Sequence, residues 1–333
     1  MKRILLMAAV LLAMMIALPV AALGFHPVTG TETQGAQEPE DPAKTETPAV
    51  EIVPNTAAAA AKKESIPVLR TATGRVETIG LEEYLRGCVA GELLMTDHVE
   101  ALKAQAVASC TYARYRLAQG KDAVSDSGET DQAYLSPEER KRRWGDNAEA
   151  YERKLADAVA AVLGQQVTRE GKPILAVVHA LNGGKTENAA DYWGGDYPYL
   201  VSTDSPGDRL SPDYAKVQTF STAEMRAALG EDDGLKPGND PAAWFGKSES
   251  TPVGTVQSIE LCGKARTGRE IRALLELRSA NFSVTFKEGV FSIKTVGWGH
   301  GVGMSQYGAD FMARQGSDYK EILEYYYAGC TVA

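Results

Sequence analysis

Residues 81–117 read LEEYLRGCVAGELLMTDHVEALKAQAVASCTYARYRL, and the rest of the chain is organised around them. A single glutamate, Glu92, stands in a small and apolar run of Cys88, Val89, Ala90, Gly91, Leu93, Leu94 and Met95. Thr96 and Asp97 break the pattern, and an alanine-rich segment follows from Val99. There Ala101, Leu102, Gln105, Ala108, Cys110 and Tyr112 recur at helical intervals, which predicts a helix with one narrow, close-packing face. An ionised carboxylate among apolar neighbours is costly, so the Glu92 pKa should rise. A carboxylic acid that keeps its proton near neutral pH can protonate a leaving-group oxygen. Read locally, a glutamate just before a turn is more often a solvated residue or a helix-end cap.

The chain carries 44 acidic against 35 basic side chains, a formal net charge of -9 that disfavours nucleic acid as the main partner. Its 333 residues, 44% of them hydrophobic, suffice for one large domain or two small ones with a real core. Lys2 and Arg3 precede an uncharged apolar run over residues 4–23, roughly 30 Å long as a helix and enough to cross a bilayer. The basic flank comes first, which places the remainder outside the cytoplasm. Val20-Ala21-Ala22 also fits a signal-peptidase site, so residues 1–23 are a transmembrane signal-anchor or a cleaved signal peptide. Residues 24–65, rich in Thr, Glu, Pro, Gln and Ala, read as a disordered tether in which residues 57–61 can form a helical turn.

The folded body is expected to begin at Ile66, as one α+β domain of mixed strands and several helices over residues 66–333. A strand pair over 68–79 turns at Thr73-Gly74, and helical pieces follow over 81–94 and 99–119. Residues 122–145 are polar and read as a solvated surface excursion, before a helix over 147–163. Residues 166–169 and 174–178 form a hairpin, and the continuously apolar second strand predicts a central position covered on both faces. A loop-rich stretch with a short helix at 223–229 leads to strands over 256–261 and 282–286 flanking a helix over 268–277. A strand over 290–296 and a last helix over 319–326 complete the order.

Two glycine-bearing loops leave strand ends, the usual setting for a site because a rigid element aims the loop. The first is His179-Ala180-Leu181-Asn182-Gly183-Gly184-Lys185-Thr186-Glu187, and the second is GWGHGVGMSQYGA over residues 297–309. Trp298, His300, Ser305, Gln306 and Tyr307 in a dense glycine loop suit a sugar or peptide lying along the backbone; a tight turn with a hydrogen-bonded histidine is the plainer alternative. The second loop lacks the ending of a phosphate-binding loop and the acidic partner of a dinucleotide fingerprint. No GxSxG elbow is present. The histidines are His26, His98, His179 and His300, with no HxxxH or CxxC pair, so a zinc site is not expected. Cys88, Cys110, Cys262 and Cys330 allow three disulfide connectivities in an oxidising compartment, but the apolar helical settings of Cys88 and Cys110 favour buried free thiols.

With these stretches in view, the chain resembles the stage II sporulation protein D family, membrane-anchored lytic transglycosylases of spore-forming bacteria. The likeness runs from about Ile66 to the C-terminus. It rests on EEYLRGCVAGEL, EALKAQAVASCTYA, DQAY at residues 131–134, GGKTENA, WGGDYPYL, GRE-IRALLELRSANF and GWGHGVGMSQYGA, in that order. The resemblance implies that Glu92 is the single catalytic acid/base. It would cleave the bond between N-acetylmuramic acid and N-acetylglucosamine, in peptide-stripped peptidoglycan glycan strands, to give 1,6-anhydro ends. His179, Asn182, Gly183, Gly184, Thr186, Glu187, Trp193, His300, Ser305, Gln306 and Tyr307 would bind the substrate, with no cofactor. Stage II sporulation proteins P and M would be partners during engulfment, and an N-terminal membrane helix would hold the domain between mother cell and forespore. Some members bind zinc near the DQAY position; Thr130 and Asp131 stand there, so no metal is expected. Cys110 replaces a common family arginine, and Leu181 and Asn182 replace two serines. The competing reading is a non-catalytic wall-binding protein that enhances an amidase, as related domains do.

Overall fold

The computed structural model describes residues 56–232 and 234–333. The expected membrane helix and residues 24–55 of the expected tether lie outside the described residues, and among the described residues no helix is long and apolar enough to cross a membrane. Helix α1 (Thr56–Ala61) ends on buried Ala61, and Glu64 pairs with Arg114 at 2.6 Å. Packed chain therefore reaches back before Ile66. Strands β1 (Ser65–Arg70) and β2 (Arg75–Gly80) form an antiparallel hairpin whose turn is closed by Gly74 at φ 68°. Helix α2 (Leu81–Glu92) follows and buries Leu81, Tyr84, Leu85, Cys88 and Val89, a 3.6-residue stripe.

Helix α3 (Val99–Ala118) lies at the centre of the larger core. The expected narrow face is corrected: Ala101, Leu102 and every residue from Ala104 to Ala113 are buried, so the helix is covered almost all round. Its small side chains let α2 and the later helices approach it from several sides, which a periodicity argument cannot detect. Strand β3 (Val124–Ser125) runs parallel to β1. Helix α4 (Pro137–Trp144) starts at a Ser136–Glu139 capping box with Pro137 at its first turn. Residues 122–145 are thus no solvated excursion. Arg140 is 2% exposed and reaches Glu83 and Glu152 at 2.7 Å each, so two carboxylates neutralise a charge whose sequence context looks solvent-facing.

Helix α5 (Ala148–Val162) buries Leu155, Ala158, Val159 and Val162, as its spacing predicts. Strands β4 (Val167–Arg169) and β5 (Lys172–Pro173) form a short hairpin. The apolar run then leaves the sheet instead of continuing as a covered strand, because the Ala176 and Val177 N–H groups donate to Ile174 and Leu175 two residues back. It rejoins a sheet as β6 (Val178–His179). A short helix α6 (Ala189–Tyr192) follows.

A second core forms from residues 215–296 around Met225, Leu229, Trp244, Ile271, Phe291 and Ile293. Its elements are β7 (Ala215–Ser221), α7 (Thr222–Leu229), β8 (Phe245–Ser250), β9 (Val256–Leu261), β10 (Lys264–Arg266), α8 (Gly268–Leu274), β11 (Phe282–Lys287) and β12 (Val290–Val296). They make two three-stranded sheets, β11-β12-β7 and β10-β9-β8. Helix α8 stops three residues before the expected 277, where Glu276 takes a left-handed φ of 49°. The chain returns to the first core with β13 (Met304–Ser305), α9 (Gln306–Arg314), α10 (Tyr319–Tyr326) and β14 (Thr331–Val332). Strand β13 lies parallel to β6, and β14 pairs with β4. The architecture is α+β, with mixed small sheets around a helical centre. The four cysteines are free, and Cys88, Cys110 and Cys330 are buried.

Candidate active site

Glu92 closes α2, and its carboxylate is held by two donors from distant parts of the chain. The Ala133 N–H donates to Oε1 at 2.9 Å, and the Gln306 side-chain amide donates to Oε2 at 2.9 Å. Burial pushes the Glu92 carboxyl above the usual range, while the two hydrogen bonds oppose the rise. The acid is therefore protonated more readily than an exposed glutamate, as its apolar neighbours predict.

Each donor has a local cause. Gly87 and Gly91 give α2 a flat side: a Cβ at Gly91 would lie 2.8 Å from the Ala133 carbonyl oxygen, and one at Gly87 2.1 Å from Tyr134. The segment carrying Ala133 can thus lie against the helix. Asp131 pins that segment. Its carboxylate accepts from the Ser125 N–H at 2.8 Å and the Tyr112 hydroxyl at 3.0 Å, and it pairs with Arg116 at 3.2 Å and with Lys121.

Gln306 is placed by the glycine loop. Gly303 has φ 73°, and a Cβ there would meet the Val177 carbonyl oxygen at 2.2 Å. The close approach lets residues 297–305 zip against 178–187, through β6–β13 and the bridges Leu181–Trp298 and Glu187–Val302. Ser305 then caps α9, its hydroxyl accepting from the Gly308 N–H at 3.1 Å and donating to Asp208 at 2.6 Å. Gln306 opens the helix with its amide on Glu92.

The acid opens into a cleft of about 1240 Å³ that runs between the helical centre and the second core. Glu92, Gln306, His179, Trp193 and His300 line it, joined by Tyr112, Arg116, Asp131, Trp298, Arg269 and Arg272. Trp193 is 37% exposed and Trp298 47%, and the Arg278 guanidinium lies over one face of Trp298, 4.5 Å from the ring centre. The rings of Trp193 and His300 lie 4.9 Å apart. Burial lowers the His179 pKa to about 4 and the His300 pKa to about 3, so both are neutral at pH 7. The His179 Nδ1–H donates to the Val302 carbonyl at 3.0 Å, leaving Nε2 to accept from Asn182 at 3.2 Å.

The remaining expected residues stand elsewhere. Asn182, Gly183 and Glu187 line a small adjoining cavity of about 20 Å³ that shares Tyr192, Gly299 and His300 with the cleft. The Glu187 carboxylate accepts from the Asn188 N–H and the Thr251 hydroxyl, and Thr186 accepts from the Thr203 N–H. Gly184 packs against Arg209, Ser305 faces Asp208, and Tyr307 does not line the cleft. Tyr112, Arg116, Arg269 and Arg272 are among the cleft residues that the sequence does not mark as site candidates. Asp208, a buried hub that accepts from Ser205, Ser305 and the Asn182 N–H, also goes unmarked, because PGDRL carries no motif. Among the described residues, no three His, Cys, Asp or Glu side chains gather as a metal site.

A family model described as Stage II sporulation protein matches residues 70–168. The chain is 41% identical to stage II sporulation protein D of Bacillus subtilis (strain 168), covering 81% of this chain and 79% of that protein. It is 40% identical to stage II sporulation protein D of Bacillus amyloliquefaciens, over 81% and 78% of the two chains. The chain belongs to the stage II sporulation protein D family. A more distant relative, 25% identical over 74% of this chain and 40% of its own length, is an amidase enhancer of Bacillus subtilis. The family match spans Glu92, Ala133 and Asp131, the acid and the loop that holds it.

Proposed function

We propose that this member of the sporulation family is a lytic transglycosylase of peptidoglycan glycan strands, with Glu92 as its single acid/base. The observation that carries the reading is the position of Glu92: a carboxyl raised by burial, gripped through both oxygens, at the wall of a cleft lined by two partly exposed tryptophans. The protonated acid gives its proton to the oxygen between N-acetylmuramic acid and N-acetylglucosamine. The resulting carboxylate takes the proton of the muramyl 6-hydroxyl, whose oxygen attacks C1 and closes a 1,6-anhydro ring. Hydrolytic glycosidases need a second carboxylate to activate water or to attack the sugar; here the nucleophile belongs to the substrate. Trp193 and Trp298 supply apolar faces for sugar rings, and Gln306 and Ala133 keep the acid aimed.

The same reading puts the domain outside the cytoplasmic membrane, tethered through the segment before residue 56, where it works with stage II sporulation proteins P and M during engulfment. The amidase-enhancer relative and the internal hydrogen bonds of Asn182 and Glu187 favour the second reading, a glycan-binding protein that assists an amidase. Mass spectrometry of the products from purified, peptide-stripped strands separates the two. Anhydro ends mark transglycosylation, free reducing ends mark hydrolysis, and uncut strands mark a binder.

A further inference from the structure

The wall of the cleft formed by the second core carries two arginines and one carboxylate, Glu276, which pairs with neither of them. Arg269 and Arg272 stand three residues apart on α8, and both line the cleft. Neither makes an ion pair among the described residues, whereas Arg116, which also lines the cleft, pairs with Asp131 at 3.2 Å. Both are nonetheless tethered through Tyr192. Arg269 donates to the Tyr192 carbonyl at 3.2 Å, with its guanidinium 5.5 Å from the Tyr192 ring centre. Arg272 donates to the Tyr192 hydroxyl at 3.4 Å and to the Leu277 carbonyl at 3.3 Å. An arginine has five N–H donors, so each keeps donors to spare.

Their place in the cleft narrows the ligand. The Tyr192 ring stands at right angles to Trp193, 5.5 Å away, and Trp193 lies 4.9 Å from His300. The charge of Arg272 is felt at His300, where it helps hold the imidazole neutral. The two cations thus flank an exposed aromatic face, in a protein whose net charge of -9 repels anions elsewhere. Cations beside an aromatic face suit a sugar bearing an anionic substituent.

Building on the glycan reading above, we propose that Arg269 and Arg272 form a carboxylate subsite for the 3-O-lactyl group of N-acetylmuramic acid. The group is anionic only when no peptide is amide-linked to it. The subsite therefore selects strands whose lactyl carboxylates are free, and the arginine fork suits a planar, two-oxygen anion. It is a specificity site, separate from the proton transfer at Glu92.

The test uses the full-length chain and two probes: peptide-free strands with free lactyl carboxylates, and the same strands with those carboxylates converted to primary amides. Binding is read by co-sedimentation. The unaltered protein should prefer the free-carboxylate strands by about tenfold, the scale of one charge-assisted hydrogen bond. Arg269→Gln/Arg272→Gln should abolish the preference by weakening only the free-carboxylate complex. Arg269→Glu should reverse it, and circular dichroism confirms that each variant is folded. A double variant that keeps the full preference, or an unaltered protein that shows none or binds neither strand, overturns the subsite. Failure of the catalytic reading looks different: the preference persists and depends on both arginines, but no anhydro ends form.

Discussion

The side-chain amide of Gln306 donates to Oε2 of Glu92 over 2.9 Å, joining residues 214 positions apart. This bond ties the end of α2 to the start of α9, so the acid is aimed by the glycine loop as much as by its own helix. It also favours the charged form of Glu92.

Removing that donor therefore has a signed consequence. In Gln306→Leu the Glu92 pKa rises further, because an opposing hydrogen bond is lost while burial remains. The proposed first step needs the protonated acid, so the alkaline limb of the kcat/KM profile should move to higher pH. Loss of alignment should lower kcat by about tenfold. Rates on peptide-stripped glycan across pH check both, and an unmoved limb would argue against the assigned role of Gln306.

Glu92→Gln should lose less stability than the parent as pH rises. The folded-state pKa of Glu92 lies above its ordinary 4.5, so the native state holds this proton more tightly than the unfolded chain. The Glu92 contribution is complete below 4.5 and is lost as pH rises through the folded value. The neutral amide escapes that loss. Thermal melts from pH 4 to pH 8 should show the parent losing more Tm than the variant, at roughly 2–4 °C per kcal/mol.

Asp208→Ala should cost roughly 2–4 kcal/mol in urea unfolding, because the Asn182 N–H and the Ser205 and Ser305 hydroxyls lose a buried acceptor together. Ser305 precedes Gln306, so activity should fall beyond the loss of folded protein. A variant within 0.5 kcal/mol of the parent, a bound of roughly the size seen for surface changes, would show that these donors are satisfied elsewhere.

Gly91→Ala separates helix propensity from site geometry. Alanine favours the helix by about 1 kcal/mol, yet its Cβ would meet the Ala133 carbonyl oxygen at 2.8 Å. The Ala133 N–H should be pushed off Glu92, reducing kcat by roughly tenfold while far-UV circular dichroism stays unchanged. Full activity would show that this N–H is dispensable.

What could be read in the sequence follows the range of the forces involved. Helix α10 matches the expected 319–326 because Asp318 and Glu321 form a capping box ahead of a periodic apolar face. Glu92 stood out because a lone acid among apolar residues is a local contrast. Strand β7 did not: AKVQTFS is largely exposed, and it is a strand because β12 pairs along its whole length. Arg140 looked solvated inside a run of charges, and only the folded chain brings Glu83 and Glu152 to it. Gln306 is legible as a glycine-loop residue expected to bind substrate, but its bond to Glu92 depends on the zipped glycine loop. Asp208 carries no motif at all; its role exists only once three distant segments converge on it.

The most direct test compares the parent and Glu92→Gln on purified, peptide-stripped glycan strands, counting 1,6-anhydro-N-acetylmuramic acid ends by mass spectrometry. The account predicts abundant anhydro ends from the parent and none above background from the variant, with both proteins folded and both retained on the glycan. Anhydro ends released equally by the two proteins would contradict it.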